Sequence, residues 1–250
     1  MMHPLVQTIR RGLAEVADPT KAPQMQAYMK SAMPYRGVSS PALKRLCREA
    51  FTSHPLATSE EWQRVVLELW RGAKFREERY AAVLLTQARA YRECQTFSSL
   101  PMLEEMIVSG AWWDHVDTLA SHNLGALLDA EPRRMKPVMR RWARDPDMWK
   151  RRSAILCQLG FKRDTDLALL FACIEPSIGS EEFFLRKAIG WALRQHAWTD
   201  PDAVVRYVDE HASELSGLSR REALKNIGRT GAKRKPAGAS KKKRARALKT

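Results

Sequence analysis

Trp113 and Asp117 stand four residues apart in the hexapeptide WWDHVD, Trp112 to Asp117. On a helix, where each residue advances about 100°, two such residues are neighbours on one face. A carboxylate is negative at neutral pH and an indole face attracts cations, so the pair suits a partner that carries or develops positive charge. It is equally compatible with an indole contact on a helix surface that binds nothing. With Trp113 set at zero, Asp117 lies near about 40°, whereas Trp112, Val116 and Leu119 gather between about −60° and −120°. That stripe is apolar, so Trp112 is expected in the core and Trp113 at its edge beside the carboxylate. Asp114, near about 100°, and His115, near about 200°, point progressively away, and Asp114 is expected to be structural.

Two later segments add partners to this pair. DPDMWKRRSAIL carries adjacent Arg151 and Arg152, and EEFFLRKAIGWALRQHAW carries Trp191, five residues beyond Arg186. The elements that must position them are helices, because apolar residues recur at three- and four-residue spacing and prolines punctuate the chain between short helical runs. YAAV, VDTL, RSAI, RKAI and REAL begin at Tyr80, Val116, Arg152, Arg186 and Arg221, with KRLC at Lys44. Their spacing of 34 to 36 residues, with a mostly small third position and a mostly aliphatic fourth, predicts stacked antiparallel helix pairs, an all-α solenoid of HEAT-like repeats. An irregular helical bundle is the alternative. In a solenoid, equivalent positions fall along one concave trough, so Arg152, Arg186 and Arg221 would form a ladder of positive charge suited to phosphates.

Composition sets the bounds. The 250 residues are 44% hydrophobic, enough for a substantial core, and no run approaches the roughly 20 apolar residues of a membrane span. The N-terminus lacks a signal-peptide hydrophobic run. Cys47, Cys94, Cys157 and Cys173 are scattered without metal-ligand spacing, which points to a reduced, intracellular protein with ordinary buried thiols and no metal. The net charge is +15, and residues 229–250 hold ten basic residues and no acid. The reading is therefore one helical domain over 1–228 and a disordered basic tail over 229–250 that attracts polyanions or keeps the chain soluble.

HPLVQ, YMKSAMPYRGV, LEEMIVSGAWWDHVD, MWKRRSAILCQL, EEFFLRKAIGWALR and LSRREALK together resemble the AlkD-type DNA glycosylases, which are built of HEAT-like repeats. The resemblance runs from His3 to about Lys225. It implies excision of N-alkylated purines such as 3-methyladenine and 7-methylguanine from duplex DNA by a monomer needing no cofactor. It implies that Asp117 is the catalytic carboxylate, that Trp113 and Trp191 pack against the lesion nucleotide, and that Arg152 meets the DNA backbone. Tyr28, and Arg194 with Arg186 and Arg221, are counted as further DNA-binding positions. His115 departs from the small polar residue usual at its place, and the basic tail has no counterpart in the family pattern. A non-catalytic protein that binds DNA structures and a protein-binding scaffold are the competing functions, and both would dispense with the Trp113, Asp117, Arg152 and Trp191 set.

Overall fold

The computed structural model describes residues 2–227, and the basic tail falls outside them. Among the described residues every regular element is helical. Proline opens many of the helices. Pro4, Pro23, Pro41, Pro101, Pro132 and Pro201 sit in the first turns of α1 (Pro4–Glu15), α2 (Ala22–Met29), α3 (Ser40–Ser53), α6 (Leu100–Gly110), α9 (Pro132–Trp142) and α13 (Pro201–Glu210). There the missing N–H costs nothing and the fixed φ fits the helix. Polar caps start others. Thr58 caps α4 (Ser59–Arg71), Asp147 caps α10 (Met148–Leu156), Asp166 caps α11 (Leu167–Ile174) and Ser216 caps α14 (Gly217–Leu224), each accepting from a backbone N–H of the first turn.

The remaining helices are α5 (Arg76–Thr86), α7 (Trp113–Thr118), α8 (Gly125–Ala130) and α12 (Phe183–His196), with a π-helical stretch from Leu119 to Leu124 joining α7 to α8. The six sequence motifs fall on α3, α5, α7, α10, α12 and α14, and each of these packs on the next in that order. α4, α6, α9 and α13 each pack on the motif helix that follows, and α1 packs on α3, which gives the helix pairs of an α-solenoid. The small third positions are the contact points, and Ala82, Ala154, Ala188 and Ala223 are all buried. Leu224, the fourth position of the last motif, is exposed, and among the described residues no further repeat covers it. A single hydrophobic core runs from Leu5 on α1 to Ala223 on α14. Cys47, Cys157 and Cys173 are buried thiols as expected, whereas Cys94 is only half-buried.

Candidate active site

The turn into α7 sets the geometry. α6 ends with Ala111 in the left-handed region, at φ 39°, and Trp112 is extended, at φ −154°. α7 therefore begins at Trp113, one residue later than a helical reading of the whole hexapeptide assumes. Trp112 is still packed against the core, with its ring 5.3 Å from Phe184 and 6.2 Å from Trp149. Trp113 and Asp117 remain one turn apart on α7. A π-helical turn follows immediately, a local widening often found beside functional residues.

Asp117 faces α10. Arg152 clasps it in bidentate fashion, with Nε donating to Oδ1 at 2.6 Å and Nη2 to Oδ2 at 2.8 Å. Arg152 Nη1 donates to the carbonyl of Phe184 at the start of α12, so one guanidinium ties three motif helices together. Only 4% of Arg152 and 9% of Asp117 is exposed. Burial raises the pKa of the Asp117 carboxyl above the ordinary aspartate value, and the Arg152 guanidinium opposes that rise.

This pair floors an open cleft of about 320 Å³. Trp113 stands on one side and Trp191 on α12 on the other, with Phe183, Phe184, Lys187 and Arg194 completing the α12 wall. Glu222 on α14 closes the far end, accepting from Lys187 Nζ at 3.2 Å and from Arg194 Nη1 at 2.6 Å. Burial disfavours the Glu222 charge, but these two cations hold its carboxyl below the usual range. α14 comes this near because residue 190 is glycine. A Cβ there would lie 2.6 Å from Glu222 Cβ and 3.0 Å from the Ser219 carbonyl. The glycine beside Trp191 is thus a packing requirement of the cleft.

Asp114, one turn before, is held from the α5 side instead. Arg76 on α5 donates to both its oxygens at 2.6 and 3.1 Å, the Tyr80 hydroxyl donates at 2.6 Å, and the His115 backbone N–H donates at 2.9 Å. Tyr80 shares a second hydrogen bond of 2.7 Å with Tyr35. His115 is wholly buried between Trp70 and Tyr80, at ring distances of 5.0 and 5.3 Å. Burial pushes its pKa down to about 3, more than the nearby Asp114 raises it.

Among the residues expected to act, Asp117, Trp113, Trp191, Arg152 and Arg194 line one cleft. Tyr28 does not; it sits on α2 with 77% of its surface exposed. Arg186 and Arg221 also lie outside the cleft lining, Arg186 half-buried and Arg221 exposed. The three-arginine ladder is therefore uneven, because Arg152 is turned inward onto Asp117. Phe183, Lys187 and Glu222 were not singled out in the sequence. Phe183, Lys187, Trp191 and Arg194 follow i, i+4, i+8, i+11 spacing, a single-face signal that could have found the first two. Glu222 has no local signal, since its place depends on the close approach of α12 and α14.

Stacked helix pairs with a buried carboxylate–guanidinium pair in an indole-walled cleft define a helical-repeat protein with one built polar site. The chain matches the family model described as DNA alkylation repair enzyme over residues 9–227, and it belongs to that family, whose work is repair of alkylated DNA. It is also similar to a solved structure described as a predicted DNA alkylation repair enzyme from Enterococcus faecalis. That likeness has a TM-score of 0.76 at 27% sequence identity and covers 84% of this chain and 96% of the other. A search of curated proteins finds no match. Among the described residues no helix is long and apolar enough to cross a membrane.

Proposed function

We propose that the protein is an AlkD-type monofunctional DNA glycosylase that hydrolyses the N-glycosidic bond of purines alkylated at N3 or N7. The observation that carries this reading is the Asp117–Arg152 pair set between Trp113 and Trp191 in an open cleft. Such a purine bears a formal positive charge and leaves as a neutral base, taking the electron pair of the C1′–N bond. No general acid is required, unlike in ordinary glycoside hydrolysis. Positive charge then appears on the deoxyribose as an oxocarbenium ion, water adds at C1′, and a proton is lost to solvent.

Asp117 stabilises that charge and orients the water. At ~4 Å and an effective dielectric of ~20 the attraction is about 4 kcal/mol, or roughly a thousandfold in rate. Arg152 sustains the ionised carboxylate in a buried setting that favours protonation. The indole faces of Trp113 and Trp191 favour a cationic base by about 0.5–2 kcal/mol each. Lys187 and Arg194, on either side of Trp191 and paired with Glu222, supply positive charge along the cleft for backbone phosphates. Arg186, Arg221 and Tyr28 extend this contact to duplex on either side.

Incubation with methylated duplex DNA should release 3-methyladenine or 7-methylguanine. Asp117→Asn should slow release at least about tenfold, equal to ~1.4 kcal/mol, and Trp191→Ala should weaken it. Undiminished release by Asp117→Asn removes Asp117 from the chemistry, and no release by the unmodified protein overturns the proposal.

A further inference from the structure

The α9 helix breaks the charge pattern of the other helices that partner the motif helices. α4 and α13 carry more acids than bases, α6 has Glu104 and Glu105 with no base, α11 has no charge at all, and α1, with Arg10, Arg11 and Glu15, has an excess of a single base. α9, PRRMKPVMRRW, has Arg133, Arg134, Lys136, Arg140 and Arg141 and no acid, with Arg144 just beyond its end. Its apolar side chains Met135, Val138, Met139 and Trp142 are buried against the core. Arg133, Arg140, Arg141 and Arg144 are exposed on the other face and make no ion pair among the described residues. By contrast Arg134 is paired with Glu131 and Lys136 with Asp166. α10 lies between this face and the cleft, so the two surfaces are turned away from each other.

Only part of this arrangement serves folding: Arg140 and Arg141 stand in the last turn, where the helix dipole favours cations, but the rest of the pattern opposes the helix. Arg133 and Arg134 stand in the first turn of α9, where the positive end of the helix dipole disfavours cations. Lys136 and Arg140, and Arg140 and Arg144, are like charges at i, i+4 spacing, which also weakens a helix. A surface kept only for solubility would mix signs, as α4 does. The unfavourable charges are relieved when a polyanion lies across them. Arg133, Arg140 and Arg144 align along about 16 Å of one helix face at ~1.5 Å per residue, a length that spans several phosphates of a duplex. A membrane-surface helix would present apolar residues for insertion, and α9 buries all of its apolar residues except Pro132 and Pro137 in the core.

We propose that the exposed face of α9 is a second DNA-binding surface, which lets one molecule hold a duplex in its cleft and another duplex segment on its opposite side. The identity of the polyanion as DNA rests on the function proposed above; the charge geometry does not. Release of counterions by each phosphate contact makes binding there steeply salt-dependent. A molecule that grips two segments can pass between them without leaving DNA, which shortens a search for rare lesions.

The test uses the full chain and the variant Arg133→Gln/Arg140→Gln/Arg141→Gln, three exposed residues outside any ion pair. A bead-tethered undamaged duplex is mixed with protein and a free fluorescent duplex, and captured fluorescence is measured against salt. The unmodified protein should bridge the two, and the variant should capture at least about fivefold less, with the salt slope of capture lower by about 2–3. Single-turnover base release from one short methylated duplex should stay within about twofold. Equal capture by the variant overturns the proposal, since the C-terminal basic residues or chain association would then be responsible. Absence of capture by the unmodified protein, or α9-dependent binding to acidic phospholipid vesicles in preference to DNA, also overturns it. If neither protein releases base, the glycosylase reading fails while the capture result still decides this one.

Discussion

Asp114 and Asp117 lie one turn apart on α7, and each is held by two guanidinium nitrogens of an arginine from a neighbouring motif helix. Arg76 reaches Asp114 from α5, and Arg152 reaches Asp117 from α10. The two ion pairs are close to equal in geometry and in burial, so neither property separates structure from chemistry. What separates them is the capacity left over. Asp114 also accepts from Tyr80 and from the His115 backbone, which fills its oxygens even though it too lines a cleft, one of about 440 Å³ shared with α2, α3 and α5. Asp117 accepts from Arg152 alone and opens onto a cleft between two indoles. Facing a cleft is therefore not enough; a buried, paired carboxylate is a candidate for chemistry when it also keeps hydrogen-bonding capacity that its own network does not fill.

The largest expected effect breaks the closed pair. Asp114→Ala leaves Arg76 buried without its partner and should cost about 3–5 kcal/mol of stability, read by denaturant unfolding. Base release by the fraction that remains folded should persist, whereas Asp117→Asn should do the reverse and lose release before stability. If Asp114→Ala unfolds no more easily and yet loses release, the assignment of the two carboxylates is inverted.

His115 sharpens the closed side of the comparison. Its folded pKa of about 3 lies below the unfolded value near 6.5. Below about pH 6.5 the unfolded chain binds a proton that the folded chain excludes, so stability drains away as pH falls towards 3. At pH 5 this amounts to about 2 kcal/mol. His115→Phe, which keeps a ring between Trp70 and Tyr80, should reduce the stability difference between pH 7 and pH 5 by about that much. An unchanged difference would mean that other groups govern the acid sensitivity.

Much of this was legible before any coordinates. The 34- to 36-residue recurrence located the motif helices, because close packing needs small residues at fixed positions and so leaves a periodic trace. Helical angle also separated Asp114 from Asp117. At Trp112 it gave the right side, the core, although the turn at Ala111 starts α7 one residue late and no spacing rule shows a left-handed alanine. The arginine ladder was half legible. Sequence puts Arg152, Arg186 and Arg221 in register, but which of them turns inward depends on the carboxylate that α7 presents across the gap. Glu222 and Gly190 were illegible for the same reason, being defined by the approach of α12 to α14 and by nothing within either helix.

The open side is tested through Arg152. Burial alone raises the Asp117 pKa, and Arg152 is the group that lowers it. In Arg152→Gln the carboxyl should therefore protonate at higher pH. The acid limb of base release should move up in pH, with release at neutral pH lower and partly recovered at alkaline pH. Loss of release with an unmoved acid limb would show that Arg152 works by gripping DNA and not by holding Asp117 ionised.

The smallest effect lies at the hinge that divides the two pairs. Ala111, at φ 39°, pays about 1–2 kcal/mol for a left-handed conformation, and glycine there would surrender about 0.5–1 kcal/mol through its freer unfolded chain. Ala111→Gly should thus stabilise the fold by about 0.5–1 kcal/mol, seen as a melting temperature higher by roughly 1–4 °C. Ala111 is exposed, so its methyl group contributes little packing that would be lost. Release should be unchanged if the aim of α7 is fixed by the two arginine clasps. A slower release from a more stable protein would show instead that the alanine's strain sets where Trp113 and Asp117 point, and that the open site depends on the turn as much as on Arg152.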